Sequence, residues 1–172
     1  MHTVDIEVWT GGEFPDVMNP RKLVTAITAH DSYEDAYFCG VLDPNCLAEG
    51  ARNSCHNSLE WEYPDGVSDD QLSVEVYDSE NQLLADYFEF VGETDPDLLT
   101  GWNSSRNDIG SGFDYPYLIN RASNINEWSY QELTYDNGRV FVTNRGAPAV
   151  DGREMFDMLQ AYKKTQIHEK RS

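Results

Sequence analysis

Asp5 and Glu7, two carboxylates two residues apart, could do chemistry if they share a surface. They lie in the segment VDIEVW, where they alternate with Val4 and Ile6. A period of two predicts a β-strand with both acids on one face. Two such carboxylates repel each other and are costly to desolvate unless a cation bridges them, and hard oxygen ligands suit Mg²⁺ or Mn²⁺. The alternative is a strand at the edge of its sheet, with both acids in water.

The same spacing occurs a second time, at Asp78 and Glu80. This pair lies in a polar turn, after a predicted strand and before a helical pattern that begins near Ser79. A two-residue spacing is a weak motif in so acidic a chain, and only its context gives it meaning. The context favours Asp5 and Glu7 as the functional pair, because they interrupt an otherwise apolar strand.

A third carboxylate of interest, Asp114, lies in TGWNSSRNDIGSGFDYPYLINR, residues 100–121. Asp114 and Pro116 follow a glycine-rich polar loop and precede an aromatic-rich helical pattern. Both residue types are favoured in the first turn of a helix, so Asp114 is predicted at a helix start. We expect it to converge with Asp5 and Glu7 on one cleft at the same end of the sheet.

The elements that must position these acids follow from periodicity and turn signals. The first three predicted strands form a meander, a further strand precedes a long helix, and a short buried strand precedes the helix of Asp114. Strands then alternate with helices, which predicts a single layered domain over residues 1–172, of the α/β or the α+β class, with a mixed β-sheet flanked by helices. The predicted strands are 2–9, 22–30, 35–42, 71–77, 98–102 and 138–143, the irregular insertion is about 43–70, and the last segment, 153–166, is a strand or helix start running into a helix.

Composition limits the classes of protein to consider. A chain of 172 residues with 40% hydrophobic content is long enough to bury a core. The sequence contains no apolar stretch long enough to span a bilayer and no export signal at its start, so the expected location is cytoplasmic, without a membrane partner. Cys39, Cys46 and Cys55 are accordingly expected to be reduced.

The formal net charge is −19, and it is unevenly distributed. Residues 1–100 hold 22 acids and three bases, whereas residues 101–172 hold nine of each. Such a field repels nucleic acid in dilute buffer, but at about 1 M salt the Debye length falls to about 3 Å and the repulsion is screened. Because acid-rich, Lys-poor surfaces are typical of proteins from concentrated salt, we expect a halophilic source. An ordinary acidic cytosolic protein is the alternative.

VDIEVWTGGEFPD, TAITAHDS and DPDLLTGWN...FDYPYLINR together resemble the 3′-5′ exonuclease domain of family B DNA polymerases, especially phage and archaeal members. In that family Asp-x-Glu on a strand is the first exonuclease motif, and Asn followed by Phe-Asp at a helix start is the second. The segments ENQLLADYFEFV and FDMLQAYKK also fit, whereas the 43–70 insertion does not. The resemblance implies a ribonuclease H-like exonuclease fold.

The resemblance also implies roles for particular residues. Three carboxylates would hold two Mg²⁺ or Mn²⁺ ions that hydrolyse a phosphodiester at the 3′ end of single-stranded DNA: Asp5, Glu7 and Asp114. Contacts to the nucleic acid would come from Phe14, Asn103, Phe113 and Tyr117. The further partner would be the remainder of a DNA polymerase, and the role proofreading during replication.

Two departures from the family pattern stand out. The loop between Asn103 and Phe113 is longer than usual, so Asn107 competes with Asn103 for the motif position, and Asn103 is preferred because it follows TGW. The family's third motif, a Tyr and an Asp on a helix, has no match after Tyr162, so the domain is expected to be incomplete at its C-terminus and to trim DNA slowly or not at all. A non-catalytic module that binds single strands and a separate nuclease of the same fold remain the alternatives.

Overall fold

The computed structural model of the protein describes residues 1–43, 74–105 and 112–169. Nearly all of the expected insertion lies outside these residues, as do the start of the strand predicted at 71–77, Asn107, Cys46 and Cys55. Cys39, which is described, is a free thiol and half-buried.

Within the described residues, six strands form a mixed sheet and two more form a small hairpin. The strands are β1 (His2–Val8), β2 (Val24–Asp31), β3 (Ala36–Leu42), β4 (Glu75–Tyr77), β5 (Leu98–Gly101), β6 (Val140–Val142), β7 (Pro148–Val150) and β8 (Glu154–Asp157). The sheet order is β4-β3-β2-β1-β5-β8, and β6 pairs with β7. β1, β2 and β3 form an antiparallel meander, whereas β1, β5 and β8 are parallel. β1 therefore lies in the interior of the sheet, which excludes the edge-strand alternative for its two acids.

The described part of the chain also contains three α-helices and one 3-10 helix. These are α1 (Glu80–Thr94), α2 (Asp114–Asn124), the 3-10 helix Trp128–Leu133 and α3 (Met158–Glu169). α1 forms because its apolar residues recur at helical spacing, and the face they create is buried against β2, β3 and the 3-10 helix. No helix in residues 1–43, 74–105 or 112–169 has the length and apolarity needed to cross a membrane.

The predicted α/β architecture, a mixed sheet flanked by helices, is confirmed. The meander, α1, β5 and α2 lie where periodicity predicts them, and the segment at 153–166 is a short strand followed by a helix. Ser79 is the N-cap residue of α1, but its side chain makes no capping hydrogen bond. The sequence prediction missed the three-residue strand β7 and the six-residue 3-10 helix, because segments this short carry little periodicity.

The inward face of β1 anchors the core. His2, Val4 and Ile6 are buried, while Asp5 and Glu7 on the other face are exposed. The His2 ring is fully buried beside the rings of Tyr87 and Phe90, and its Nε2 lies 3.3 Å from the Tyr87 hydroxyl. Burial lowers the pKa of His2 to about 4, so this imidazole is neutral at physiological pH.

A buried ion pair joins α1 to α2. Glu80 accepts hydrogen bonds from Arg121 Nε at 2.9 Å and Nη2 at 2.6 Å, and it also accepts one from the Val24 amide at 2.8 Å. Arg121 Nη1 donates to the Pro20 carbonyl as well. Glu80 thus has a structural task, which separates the second Asp-x-Glu pair from the first.

Candidate active site

The outward face of β1 presents the first two acids of the site. Asp5 lies opposite Thr28 and Glu7 opposite Ala26 of the neighbouring strand β2. On the other side β1 runs parallel to β5, and the two strands lead toward the same edge of the sheet. In α/β proteins ligands bind beyond the carboxyl ends of the parallel strands. The two carboxylates therefore lie on a strand that leads to the edge where a site is expected.

Asp114 is placed at this edge by a short network of backbone hydrogen bonds. The Phe113 amide donates to the Asn103 carbonyl at 2.6 Å, and the Tyr115 amide donates to the Ser104 carbonyl at 3.2 Å. Gly112 lets the two ends of the long loop meet, since a Cβ there would collide with the Ser104 and Ser105 backbone. The first residue of α2 is thereby held against the end of β5.

The Asp114 carboxyl group is buried and under electrostatic stress. Its side chain is only 4% exposed, and its Oδ2 atom has no hydrogen-bond partner. Burial, followed by the nearby charges of Asp5, Asp157 and Glu7, raises its pKa to about 8. The structure thus brings Asp114 within electrostatic reach of both β1 acids, and a cation placed among them would relieve that stress.

Asp157 is a fourth acid that the sequence analysis did not select. It ends β8 and is 5% exposed. Its Oδ2 accepts from the Ser105 amide at 3.2 Å, and its Oδ1 accepts from the Gln160 amide at 3.1 Å, in the first turn of α3. Both oxygens are therefore used to join the Asn103 loop to α3. The only signal in the sequence was an acid at a strand-to-helix junction, which is common at helix starts.

The donor groups at this edge are those that a divalent cation of the kind expected from the sequence would need. Among the described residues, no three His, Cys, Asp or Glu side chains are gathered closely enough to hold an ion as they stand. The chemistry nevertheless fits a hard cation, because the available groups are carboxylate oxygens and one of them, Asp114 Oδ2, is buried without a partner. The residues that could hold such an ion are Asp5, Glu7 and Asp114.

Aromatic rings lie beside the acids. Phe14 is 83% exposed, and its ring centroid lies 5.4 Å from that of Phe113. The Phe113 ring is stacked in turn on Tyr117, with centroids 5.2 Å apart. Phe14 is the member of this series whose ring is largely open to solvent.

Tyr117 is a correction to the sequence analysis, which placed it among the contacts to nucleic acid. Its side chain is fully buried, and its hydroxyl donates to the Lys22 carbonyl at 2.8 Å. The helix repeat turns this face of α2 into the core, so Tyr117 supports the Phe113 ring from behind and has no surface for a base.

Asn103 occupies a special backbone conformation at the end of β5. Its φ is 59°, in the left-handed region that Asn tolerates better than most residues, and its side chain is half-buried. Its carbonyl receives the Phe113 amide, so this residue fixes the start of α2. Asn107, its competitor for the motif position, lies outside the described residues.

Comparison with known proteins identifies relatives of the chain. A family model described as DNA polymerase family B, exonuclease domain, matches residues 2–170. The chain is 29% identical to the DNA-directed DNA polymerase of Enterobacteria phage T4 over 172 residues, covering 93% of the chain and 18% of that protein. It is 31% identical to the DNA-directed DNA polymerase of Escherichia phage RB69, covering 70% of the chain and 13% of that protein.

A cellular enzyme matches over a shorter region. The DNA polymerase delta catalytic subunit of Drosophila melanogaster is 40% identical over 60 residues, which are 35% of the chain and 5% of that protein. The chain thus spans less than a fifth of the length of each of these three relatives.

Proposed function

Because this chain belongs to the exonuclease domains of family B DNA polymerases, we propose that it removes nucleotides from a DNA 3′ end as the proofreading part of a polymerase. Family membership and the observed mixed sheet agree with the expected ribonuclease H-like exonuclease fold. The partners in this proposal are a single-stranded 3′ end and the remainder of a DNA polymerase. The halophilic source also belongs to the proposal, since screening by salt would let so acidic a chain approach phosphates.

The observation that carries the proposal is the Asp114 carboxyl group. A buried carboxylate oxygen without a partner, facing three further acids, is costly in a purely structural role. The cost is offset if the group exists to bind a cation. Perturbed carboxylates of this kind are concentrated at functional sites.

Asp5, Glu7 and Asp114 would hold Mg²⁺ or Mn²⁺, the class of metal that this family generally uses. When bound, a pair of such ions supplies the positive charge that makes a water molecule more acidic and offsets the charge developing on the phosphodiester. The protein's own contribution is placement: β1 fixes Asp5 and Glu7, and the Asn103 and Ser104 carbonyls hold the backbone on either side of Asp114.

The remaining residues would position the DNA. Phe14, supported by Phe113, would stack on a terminal base without reading its identity, because every base has a π-face. Asn103 would contact the DNA strand near the end of β5. Holding the 3′ end of the DNA strand in one position lowers the entropic barrier to hydrolysis.

A non-catalytic module that binds single strands is the second candidate. It is favoured by one observation: in the described ranges, no three potential ligands are close enough together to hold an ion. In that case the aromatic rings would still bind the single strand, whereas the acids would have no role in catalysis.

Trimming of a labelled oligonucleotide distinguishes the two candidates. With Mn²⁺ and molar KCl, we expect slow release of mononucleotides from the 3′ end, because residues 115–172 contain no match to the family's third motif. Asp5→Asn should abolish this release, since it removes a ligand. Asp78→Asn is the matched control, because it alters the exposed acid of the second Asp-x-Glu pair and should leave the rate unchanged.

Each alternative result has a definite meaning. Release of nucleotides that proceeds in chelator, or that Asp5→Asn does not slow, would contradict the proposed chemistry. Binding of the oligonucleotide without any release, together with no binding of Mn²⁺, would support the non-catalytic module.

A further inference from the structure

Trp102 and Tyr162 form a pair of exposed rings that is not part of the Phe14, Phe113 and Tyr117 series. Trp102 is 54% exposed and Tyr162 is 53% exposed, yet their centroids are only 5.8 Å apart, with the ring planes tilted by 50°. Trp102 follows β5, and Tyr162 lies on α3. Large aromatic side chains that remain this exposed bury little apolar area, so they add little to the stability of the core.

The fold places this pair next to the acids. Gly101, at the end of β5, pairs with Asp157, at the end of β8. The chain continues from these two residues directly into Trp102 and into α3, so both rings are at the carboxyl edge of the parallel strands. Asn103, which follows Trp102, holds the start of α2 through its carbonyl. The rings and Asp114 are therefore linked through one short piece of backbone.

The part of α3 that follows Tyr162 is basic, which is unusual for this protein. Lys163 and Lys164 follow Tyr162 directly and are exposed, and residues 158–166 contain no acid. The chain as a whole carries a formal charge of −19. A basic stretch within so negative a chain is complementary to phosphate.

We propose that Trp102, Tyr162, Lys163 and Lys164, here called the Trp102–Tyr162 patch, bind the single strand upstream of its 3′-terminal nucleotides. The rings stack on a base, and the exposed lysines supply positive charge to phosphates further along the DNA strand, since residues one and two positions after Tyr162 project away from its ring. This proposal rests on the proposed function, because it takes DNA as the ligand, and it adds a second binding subsite to the one at Phe14. Combined stacking and phosphate contact is how proteins hold single strands without sequence preference.

The length of the oligonucleotide provides the test. In chelator, which prevents cleavage, binding is measured by fluorescence anisotropy for a thymidine trinucleotide and for an oligothymidylate of about twelve nucleotides, within the range that single-strand sites cover. We expect Trp102→Ala to weaken binding of the longer strand about 5- to 150-fold, the range for loss of one stacked base. Binding of the trinucleotide should not change, since it reaches only the Phe14 subsite.

Three variants serve as controls. Trp102→Phe keeps an aromatic face and should restore most of the affinity for the longer strand. Trp128→Ala removes another exposed tryptophan that also has an aromatic neighbour, Tyr130, and should have no effect. Phe14→Ala should weaken binding of both oligonucleotides.

The contribution of the two lysines is tested by measuring how the affinity for the oligonucleotide depends on salt concentration. Replacing Lys163 and Lys164 together by Gln should make the dependence of log affinity on log salt shallower by about 1.4, because each phosphate contact on a single strand contributes about 0.7. Replacing both by Arg keeps the charge and should preserve the wild-type slope. An unchanged slope in the Gln variant would overturn the assignment of the lysines.

The outcomes separate this proposal from the one it rests on. If Trp102→Ala binds the longer strand as tightly as wild type while Phe14→Ala weakens it, the patch is wrong and the proposed function stands. If the wild-type chain binds neither oligonucleotide at any salt concentration, the patch and the proposed function are both wrong. Selective loss for the longer strand in Trp102→Ala, rescued by Phe, supports the patch.

Discussion

In metal-free buffer, Asp114→Asn should unfold less readily than wild type at pH 8, and the advantage should disappear near pH 4. Burial and the charges of Asp5, Asp157 and Glu7 raise the pKa of Asp114 to about 8, from 3.8 in the unfolded chain. Between these values the folded protein holds a proton that the unfolded chain lacks. Its free energy of unfolding therefore falls by about 1.4 kcal/mol per pH unit from this group.

Because the pKa of Asp114 is raised in the folded protein, the stability that its proton contributes is fully present below pH 3.8. This contribution is lost as the pH rises through 8. Between these two pH values, Asp114 lowers the free energy of unfolding by a total on the order of 5 kcal/mol. Asp114→Asn does not show this decrease, because Asn does not titrate. Urea unfolding in chelator across this pH range measures it. Asp78→Asn, which changes an exposed acid, should follow the wild-type curve. Parallel curves for wild type and Asp114→Asn would contradict the strained state of this carboxyl group.

Glu80→Ala should be among the most destabilising single substitutions in the chain. It leaves the Arg121 guanidinium, which is largely buried, without its carboxylate partner and removes the acceptor of the Val24 amide. Breaking a buried pair by removing one member typically costs about 3–5 kcal/mol. The expected result is a matching decrease in the free energy of unfolding, measured by urea titration at neutral pH.

A comparison with an exposed pair gives this prediction its control. Arg139 and Asp151 are joined at 3.0 Å, but their side chains are 80% and 43% exposed. Asp151→Ala should therefore change the unfolding midpoint very little. If it destabilises the protein as much as Glu80→Ala does, burial is not what makes the Glu80–Arg121 pair important.

The sequence predicted the elements that carry Asp5, Glu7 and Asp114 better than it predicted the residues around them. Asp5 and Glu7 followed from the period of one strand, and Asp114 followed from helix-start preferences, all of which are local signals. Sequence context also favoured Asp5 and Glu7 over Asp78 and Glu80, because only the first pair interrupts an apolar strand. The fold adds the structural role of Glu80, which is held by Arg121, 41 positions away in the sequence.

Two further features needed the fold. Asp157 reaches the site because β8 pairs with β5 beside β1, a strand order that periodicity does not specify. Tyr117 lies in the same aromatic run as Phe113, but the turn of α2 directs it into the core, where it is fully buried. A list of aromatic residues near a motif therefore overstates the surface available to DNA.

The most direct test of the central claim is Mn²⁺ binding to the 172-residue chain, measured by titration calorimetry at neutral pH. We predict binding by the wild type, and a loss of at least about 100-fold in Asp5→Asn and in Asp114→Asn, since replacing a ligand should exceed the 10- to 100-fold effect of changing its supporting residues. Asp78→Asn should bind as the wild type does. Equal affinity in all four proteins, or no binding by the wild type, would contradict a metal site built from Asp5, Glu7 and Asp114.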